Sequence, residues 1–264
     1  IIACIFFEPS TRTRLSFETA ALKLGAKVIS AENAMENSSA YKGETIEDTT
    51  KIICSYADIF VVRHPKAGIP DAAAKVATKP IINAGDGANQ HPTQGLLDLY
   101  TIKKEHGRLN NLKIGFGGDL LNARTLKSLV PFLRLYKNNK FYFISPQELK
   151  LPREFIKDLK DNGVTFEELQ SLEEKLPELD ILYMTRVQKE RFENVADYDR
   201  VKNLFIFKKE YLKKMKKDVI IMHALPKINE IELEVDLDPR AAYFRQAQNG
   251  LYTRMAVLLY ALGL

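Results

Sequence analysis

Ile1 to Glu18 read IIACIFFEPSTRTRLSFE, and this stretch decides the fold class. Ile1 to Phe7 form an unbroken apolar run, rich in branched and aromatic side chains, which predicts a strand buried on both faces. Glu8-Pro9 breaks the run, and Ser10 and Thr11 suit the N-cap of a following helix that carries Leu15, Phe17, Ala20, Ala21, Leu22 and Leu24 and stops at Gly25. The turn delivers Ser10, Thr11, Arg12, Thr13 and Arg14 to a helix N-terminus, where unpaired N–H groups and the positive dipole end favour an anion. Hydroxyls and guanidinium groups in such a turn suit phosphate best. The same residues would also serve as helix caps and solvated surface, and the spacing does not name a ligand.

Outward from this stretch the chain alternates. Strands are predicted at Lys27–Ser30, Asp58–Val62, Pro80–Ala84, Asn111–Phe116, Lys140–Ile144, Val164–Phe166, Asp180–Met184 and Val219–Met222. Between them helices are expected near residues 45–56, 68–77, 92–106, up to Tyr136, and 152–162, with a C-terminal helical region whose last part, Tyr252 to Leu262, is strongly apolar. Glu32 to Glu44, ENAMENSSAYKGE, is too polar for core; it reads equally as a solvated loop or as an arm that reaches a ligand. Such alternation predicts an α/β protein of two domains, each a parallel sheet flanked by helices. The helix Pro92–His106 marks the boundary, dividing residues 1–106 from 107–248, with a C-terminal helix over 249–264 completing the first domain. Because the chain opens inside a strand, a truncated N-terminus is expected.

With 264 residues, 45% hydrophobic and 28% charged, the composition is that of an ordinary globular protein, and no apolar run approaches a membrane span. Cys4 and Cys54 lack disulfide or metal spacing, so both are expected as buried small hydrophobes in a reducing, cytoplasmic setting. The net charge of +5 owes much to KKEYLKKMKK (Lys208 to Lys217), which reads as the exposed face of an amphipathic helix and not as a nucleic-acid groove. GFGGDL, from Gly115, lacks the complete dinucleotide fingerprint and gives an oxidoreductase reading only weak support.

Ligands of open parallel sheets bind at the carboxyl ends of the strands. Those ends read Ser10–Arg14, Arg63, His91–Gln94, Asp119–Thr125, Arg186–Gln188 and His223–Pro226. Arg12, Arg14, Arg63, Arg124 and Arg186 gather there without a carboxylate pair or metal cluster. This implies recognition of more than one multiply charged anion, and transfer of an already activated group by orientation and charge stabilisation. An isolated His such as His91 at a helix start is more often a capping or packing residue than a catalyst.

The stretches FFEPSTRTRLSFE, KGET, VVRHP, HPTQGLLDLYTI, GDLLNARTLKSL, YMTRVQKERF, HALPKINEI and YFRQAQNGLYTRMA run through the chain in one order. By them the sequence closely resembles the aspartate/ornithine carbamoyltransferase superfamily, and within it the aspartate carbamoyltransferase catalytic chains. The resemblance implies that carbamoyl phosphate is bound by Ser10, Thr11, Arg12, Thr13, Arg63, His91 and Gln94. Arg12, Thr13, Arg63 and His91 would be the catalytic set, with Thr13, Arg63 and His91 at the carbonyl oxygen and Gln94 at the carbamoyl nitrogen. Arg124, Thr125, Arg186 and Gln188 would take the carboxylates of L-aspartate, and the backbone carbonyls of Ala224 and Leu225 would accept from amines, next to a cis bond before Pro226. Ser38 and Lys42 would reach the site of a neighbouring subunit, Lys42 serving both substrates, which implies a homotrimer. The resemblance leaves room for separate regulatory chains and implies no metal, organic cofactor, nucleic acid or membrane.

Two departures stand out. This chain has His223-Ala224-Leu225-Pro226-Lys227 where the family usually reads H-P-L-P-R, and the family's helix before the first strand is absent. An ornithine or other amino-acid carbamoyltransferase is the nearest alternative, but it calls for an H-C-L-P turn and an S-M-G loop that this chain lacks. A non-catalytic anion-binding paralogue would be expected to lose polarising groups, and Arg12, Thr13, Arg63, His91 and Gln94 are all present.

Overall fold

A computed structural model describes residues 1–189, 192 and 194–264. The apolar opening stretch forms β1 (Ile2–Phe6), and all of its residues are buried. Helix α1 (Thr11–Lys23) follows and buries Thr13, Phe17, Ala20 and Ala21. Leu15 and Leu22, expected on its apolar face, are instead 48% and 63% exposed. Small alanines at 20 and 21 bring α1 close to the sheet, and the leucines fall on its outer face. Then come β2 (Val28–Glu32), α2 (Ala34–Asn37), α3 (Ile46–Tyr56), β3 (Ile59–His64), α4 (Ile69–Val76), β4 (Ile81–Asp86) and α5 (Pro92–His106). The polar stretch after β2 is more ordered in form than a plain loop. Asn33, in the left-handed region, starts α2, and a 3-10 turn follows over Ser39–Lys42.

The remaining elements are β5 (Lys113–Gly118), α6 (Arg124–Leu133), β6 (Lys140–Ile144), α7 (Arg153–Asp161), β7 (Thr165–Leu169), β8 (Ile181–Thr185), α8 (Val195–Val201), β9 (Ile220–His223) and α9 (Tyr243–Leu262). Helix α8 has no counterpart in the sequence expectations, because its short polar segment carries little periodic signal. The lysine-rich stretch is not an amphipathic α-helix either. It forms a 3-10 helix, Lys209–Lys214, with Leu212 and Met215 buried.

The chain divides into two units, Ile1–Leu97 with Gln248–Leu264, and Asp98–Ala247, so the division falls inside α5. The first carries a four-stranded sheet in the order β2-β1-β3-β4; the second carries a five-stranded sheet in the order β7-β6-β5-β8-β9. Every pairing is parallel, as the alternation of elements predicted. In the first unit Phe17, Ala20 and Ala21 of α1 and Leu258 of α9 cover one sheet face, while Ala34 and Ala57 lie in the cluster on the other. In the second unit both sheet faces are likewise covered by separate clusters. Cys4 and Cys54 are free and buried, as expected. Among the described residues no helix is long and apolar enough to cross a membrane.

These strand orders matter for function. An open parallel sheet has a crevice where successive strands lead to opposite sides, and ligands collect at its carboxyl edge. In the first sheet that point lies between β1 and β3, and in the second between β5 and β8. The turns that leave those four strands begin at residues 7, 65, 119 and 186.

Candidate active site

In the first unit, β1 ends in Glu8-Pro9 and the chain turns into α1 at Ser10, its N-cap. Ser10 makes no side-chain capping bond, and Thr11 and Arg12 are exposed in the first turn. Thr13 points inward. Its Oγ1 lies 3.4 Å from His91 Nε2, and Arg63 Nη1 lies 3.4 Å from the same nitrogen. Thr13, Arg63 and His91 are 7%, 7% and 5% exposed, so three hydrogen-bonding groups from three strand ends meet in a nearly dry corner.

The neighbours of Arg63 fix its fork. Nη1 donates to the Ala84 carbonyl at 3.2 Å, and Nε lies 2.8 Å from Glu8 Oε1. Gly85 makes the approach possible: it sits at φ +124°, and a Cβ there would lie 3.0 Å from Arg63 Nη1. Asp86 shapes the loop that delivers His91, accepting from the Gly68 amide at 3.0 Å, Asn89 Nδ2 at 2.9 Å and the Gln90 amide at 3.0 Å. Burial pushes the Asp86 carboxyl up, but these donors more than offset it and hold the group below its ordinary range. Gln94 lies in the first turn of α5, where its amide donates to the His91 carbonyl at 2.9 Å. In the sequence Glu8 reads only as a strand breaker, and Gly85, which allows a tight turn after the strand, and Asp86 carry no sign of a role in the site.

Arg14 has a different role from its neighbours. It pairs with Glu18 at 3.4 Å and Glu32 at 2.9 Å, which ties α1 to β2. Ser38 caps its own 3-10 turn by accepting from the Ala40 amide at 3.1 Å, and Lys42 ends that turn exposed.

In the second unit, β5 ends in Gly117-Gly118. A Cβ on Gly118 would meet the Thr185 carbonyl oxygen at 2.3 Å, and one on Gly117 would meet Phe205 at 3.0 Å. The glycines of GFGGDL thus serve close packing of β5 against its neighbours. Thr185 Oγ1 lies 3.0 Å from the Gly117 carbonyl and 2.9 Å from that of Asp119, and donates its proton between them. Asp119, fully buried, is pushed up by burial while the Asn122 amide donates to it at 3.0 Å. Gln188 Nε2 donates to the Asn122 carbonyl at 3.0 Å, which brings the turn after β8 against the turn after β5. Arg124 and Thr125 open α6 beside that contact, and half-buried Arg186 follows β8 directly. Glu190 and Arg191 of the YMTRVQKERF motif lie outside the described residues.

The turn after β9 completes this group. The Leu225–Pro226 bond is cis, and Leu225 sits at φ +55°, a left-handed conformation that a leucine adopts only when its surroundings impose it. His223 Nδ1 accepts from the Leu225 amide at 2.8 Å, and Nε2 lies 2.7 Å from Glu230 Oε1. That contact, with amides 228 and 229 donating to the other oxygen, outweighs burial and holds Glu230 below its ordinary range. Lys227, the departure from arginine, pairs with Asp236 at 3.1 Å.

Each unit thus collects cationic and polar groups at its own carboxyl edge, and each matches a known family domain. Residues 1–104 match the aspartate/ornithine carbamoyltransferase carbamoyl-P binding domain, and residues 110–261 the Asp/Orn binding domain of the same family. The chain belongs to the aspartate/ornithine carbamoyltransferase family. Within it, the aspartate carbamoyltransferase catalytic subunit of Clostridium kluyveri is 52% identical over 264 residues, which is all of this chain and 86% of that relative. The catalytic subunit of M. jannaschii aspartate transcarbamoylase has a similar structure, with a TM-score of 0.91 at 49% identity over 99% of this chain and 85% of that one. So has aspartate transcarbamoylase from Trypanosoma cruzi in complex with carbamoyl phosphate and aspartate, with a TM-score of 0.88 at 36% identity over 97% and 81% of the two chains.

Proposed function

We infer that this chain is an aspartate carbamoyltransferase, which transfers the carbamoyl group of carbamoyl phosphate to the amine of L-aspartate in pyrimidine biosynthesis. The observation that carries the reading is the corner where Thr13 and Arg63 converge on His91, next to the N-terminus of α1. A carbonyl oxygen placed there would meet several donors in a site of low dielectric.

The first unit is the carbamoyl phosphate domain. Ser10, Thr11, Arg12 and Thr13 hold the phosphate with the help of the α1 dipole, and Gln94 holds the carbamoyl nitrogen. Thr13, Arg63 and His91 stabilise the oxyanion that forms when the amine attacks the carbonyl carbon. The C–O bond to phosphate then breaks, and the departing phosphate takes the proton of the amine. The second unit is the aspartate domain, where Arg124, Thr125, Arg186 and Gln188 bind the carboxylates and the Ala224 and Leu225 carbonyls accept from amines.

Asp119 favours aspartate over ornithine. It lies just past the carboxyl end of β5, but it is fully buried and engaged by Asn122, so it offers no partner to a cationic side chain. Exposed Lys42 and the turn capped by Ser38 fit a contribution to a neighbouring subunit's site, and on that basis the working enzyme is a homotrimer. Free cysteines fit a cytoplasmic setting. Purified protein given carbamoyl phosphate and aspartate should yield N-carbamoyl-L-aspartate and phosphate in equal amounts. Turnover with ornithine in place of aspartate would overturn the substrate assignment.

A further inference from the structure

Strand β9 lies at the edge of the second sheet, so every other amide on its outer side needs a partner other than a strand. The Ile221 amide finds the Arg240 carbonyl at 2.8 Å, and the Ile221 carbonyl accepts from Ala242 at 2.8 Å. Two residues further along the strand, the chain that pairs with β9 has already turned into α9. The His223 amide donates to a side chain instead: Gln246 Oε1, at 2.9 Å.

A carboxamide can face either way, and its partners decide which. Here Gln246 Nε2 donates to Asp98 Oδ1 at 2.6 Å, and the other oxygen of Asp98 accepts from the Tyr183 hydroxyl at 2.9 Å. Asp98, Tyr183, Gln246 and His223 are 0%, 0%, 1% and 3% exposed, so water does not compete. Asp98 accepts only, which forces the Gln246 nitrogen toward it and the Gln246 oxygen toward His223. The orientation then passes on: the His223 ring accepts from Leu225, the residue held at φ +55°.

We propose that Gln246 and Asp98 are positioning residues for the turn His223–Pro226, with Asp98 setting the direction of the Gln246 carboxamide and Gln246 standing in for a missing strand. Neither residue touches substrate. The proposal rests on the reading of this turn as part of the aspartate site. Its effect falls on aspartate because the turn supplies the Ala224 and Leu225 carbonyls, while the Thr13–Arg63–His91 corner has no part in the chain of hydrogen bonds just described.

The test is a swap. Gln246→Glu sets two carboxyls against each other and removes the donor that Asp98 receives. Adding Asp98→Asn to it restores the bonds joining residue 246 to residue 98 and to the His223 amide, and that of residue 98 to Tyr183, with the polarity reversed between positions 98 and 246; the 3.4 Å contact of residue 246 with the Tyr183 hydroxyl loses its donor. The new carboxamide donates to the new carboxylate and still accepts from Tyr183, and the carboxylate accepts from the His223 amide. Gln246→Glu should raise the KM for aspartate at least tenfold, leave the KM for carbamoyl phosphate unchanged, and speed amide hydrogen exchange at residues 223–225 at least tenfold. The double variant should recover most of both effects. Gln246→Met, of similar size and without polar atoms, should reproduce the single-variant losses and serves if Gln246→Glu does not fold. Unchanged KM and exchange in the single variants, or a folded double variant with no recovery, would overturn the proposal. If wild-type protein fails to use aspartate, the functional reading falls, and the exchange rates still decide whether Gln246 and Asp98 position the turn.

Discussion

Arg63 reaches within 3.4 Å of His91 because residue 85 has no side chain. Gly85 lies beneath the guanidinium at φ +124°, and any Cβ there would press on Nη1 at 3.0 Å. Gly85→Ala should therefore injure activity through Arg63. Loss of one oxyanion donor typically costs 10²–10³ in kcat, so a displaced one should cost roughly 10- to 100-fold. The forced backbone should cost about 1–3 kcal/mol in stability. Steady-state kinetics with thermal unfolding measure both, and an unchanged kcat would show that this approach of Arg63 is not used in turnover.

Arg186 leaves β8 beside the turn that opens α6. Arg186→Ala should raise the KM for aspartate by roughly 10²-fold or more, as expected when one partner of a desolvated charge pair is removed. Carbamoyl phosphate binding, measured calorimetrically without aspartate, should change little. Equal losses for both substrates would contradict the division of labour between the two units.

Asp86 supplies a pH dependence with a definite sign. Its donors keep its folded pKa below the ordinary value, so it contributes stability above its unfolded pKa of about 3.9 and loses it as pH falls through the folded value. Asp86→Asn turns an N–H toward one of those donors and should cost about 1–2 kcal/mol at pH 7. The gap to wild type should narrow below about pH 4, where protonation introduces a similar mismatch. Denaturant unfolding across pH would tell against this role if the gap stayed constant.

Lys42 ends an exposed 3-10 turn, and Arg12 stands in the first turn of α1. If Lys42 serves a neighbour, chains carrying Lys42→Ala and chains carrying Arg12→Ala should each be nearly inactive. Mixed and reassembled, they should regain activity, because some sites then combine intact groups from both. Verified mixed trimers without recovery would confine Lys42 to its own chain.

Much of this was legible in the sequence, for identifiable reasons. Both-face burial makes β1, β3 and β8 continuous apolar runs, and Pro9 and Pro65 punctuate the ends of β1 and β3, so those strand-end residues could be read directly. Arg14 was harder, since an arginine paired to Glu18 and Glu32 looks the same in sequence as one that faces an anion. Gly117 and Gly118 resembled part of a cofactor fingerprint, yet they answer to Phe205 and Thr185, which lie far along the chain. Glu8, Asp98 and Gln246 act by holding other groups, across 55 residues from Glu8 to Arg63 and 148 from Asp98 to Gln246. Partners so distant leave no periodicity or spacing to read.

Carbamoyl transfer to aspartate is most directly tested by offering the wild-type protein carbamoyl phosphate labelled with carbon-13 at its carbonyl, with aspartate and ornithine together at equal concentration. The product is then followed by NMR. The label should move to N-carbamoyl-L-aspartate as phosphate appears, with no carbamoylated ornithine beyond an enzyme-free control. Label on ornithine, or phosphate released without label reaching aspartate, would contradict it.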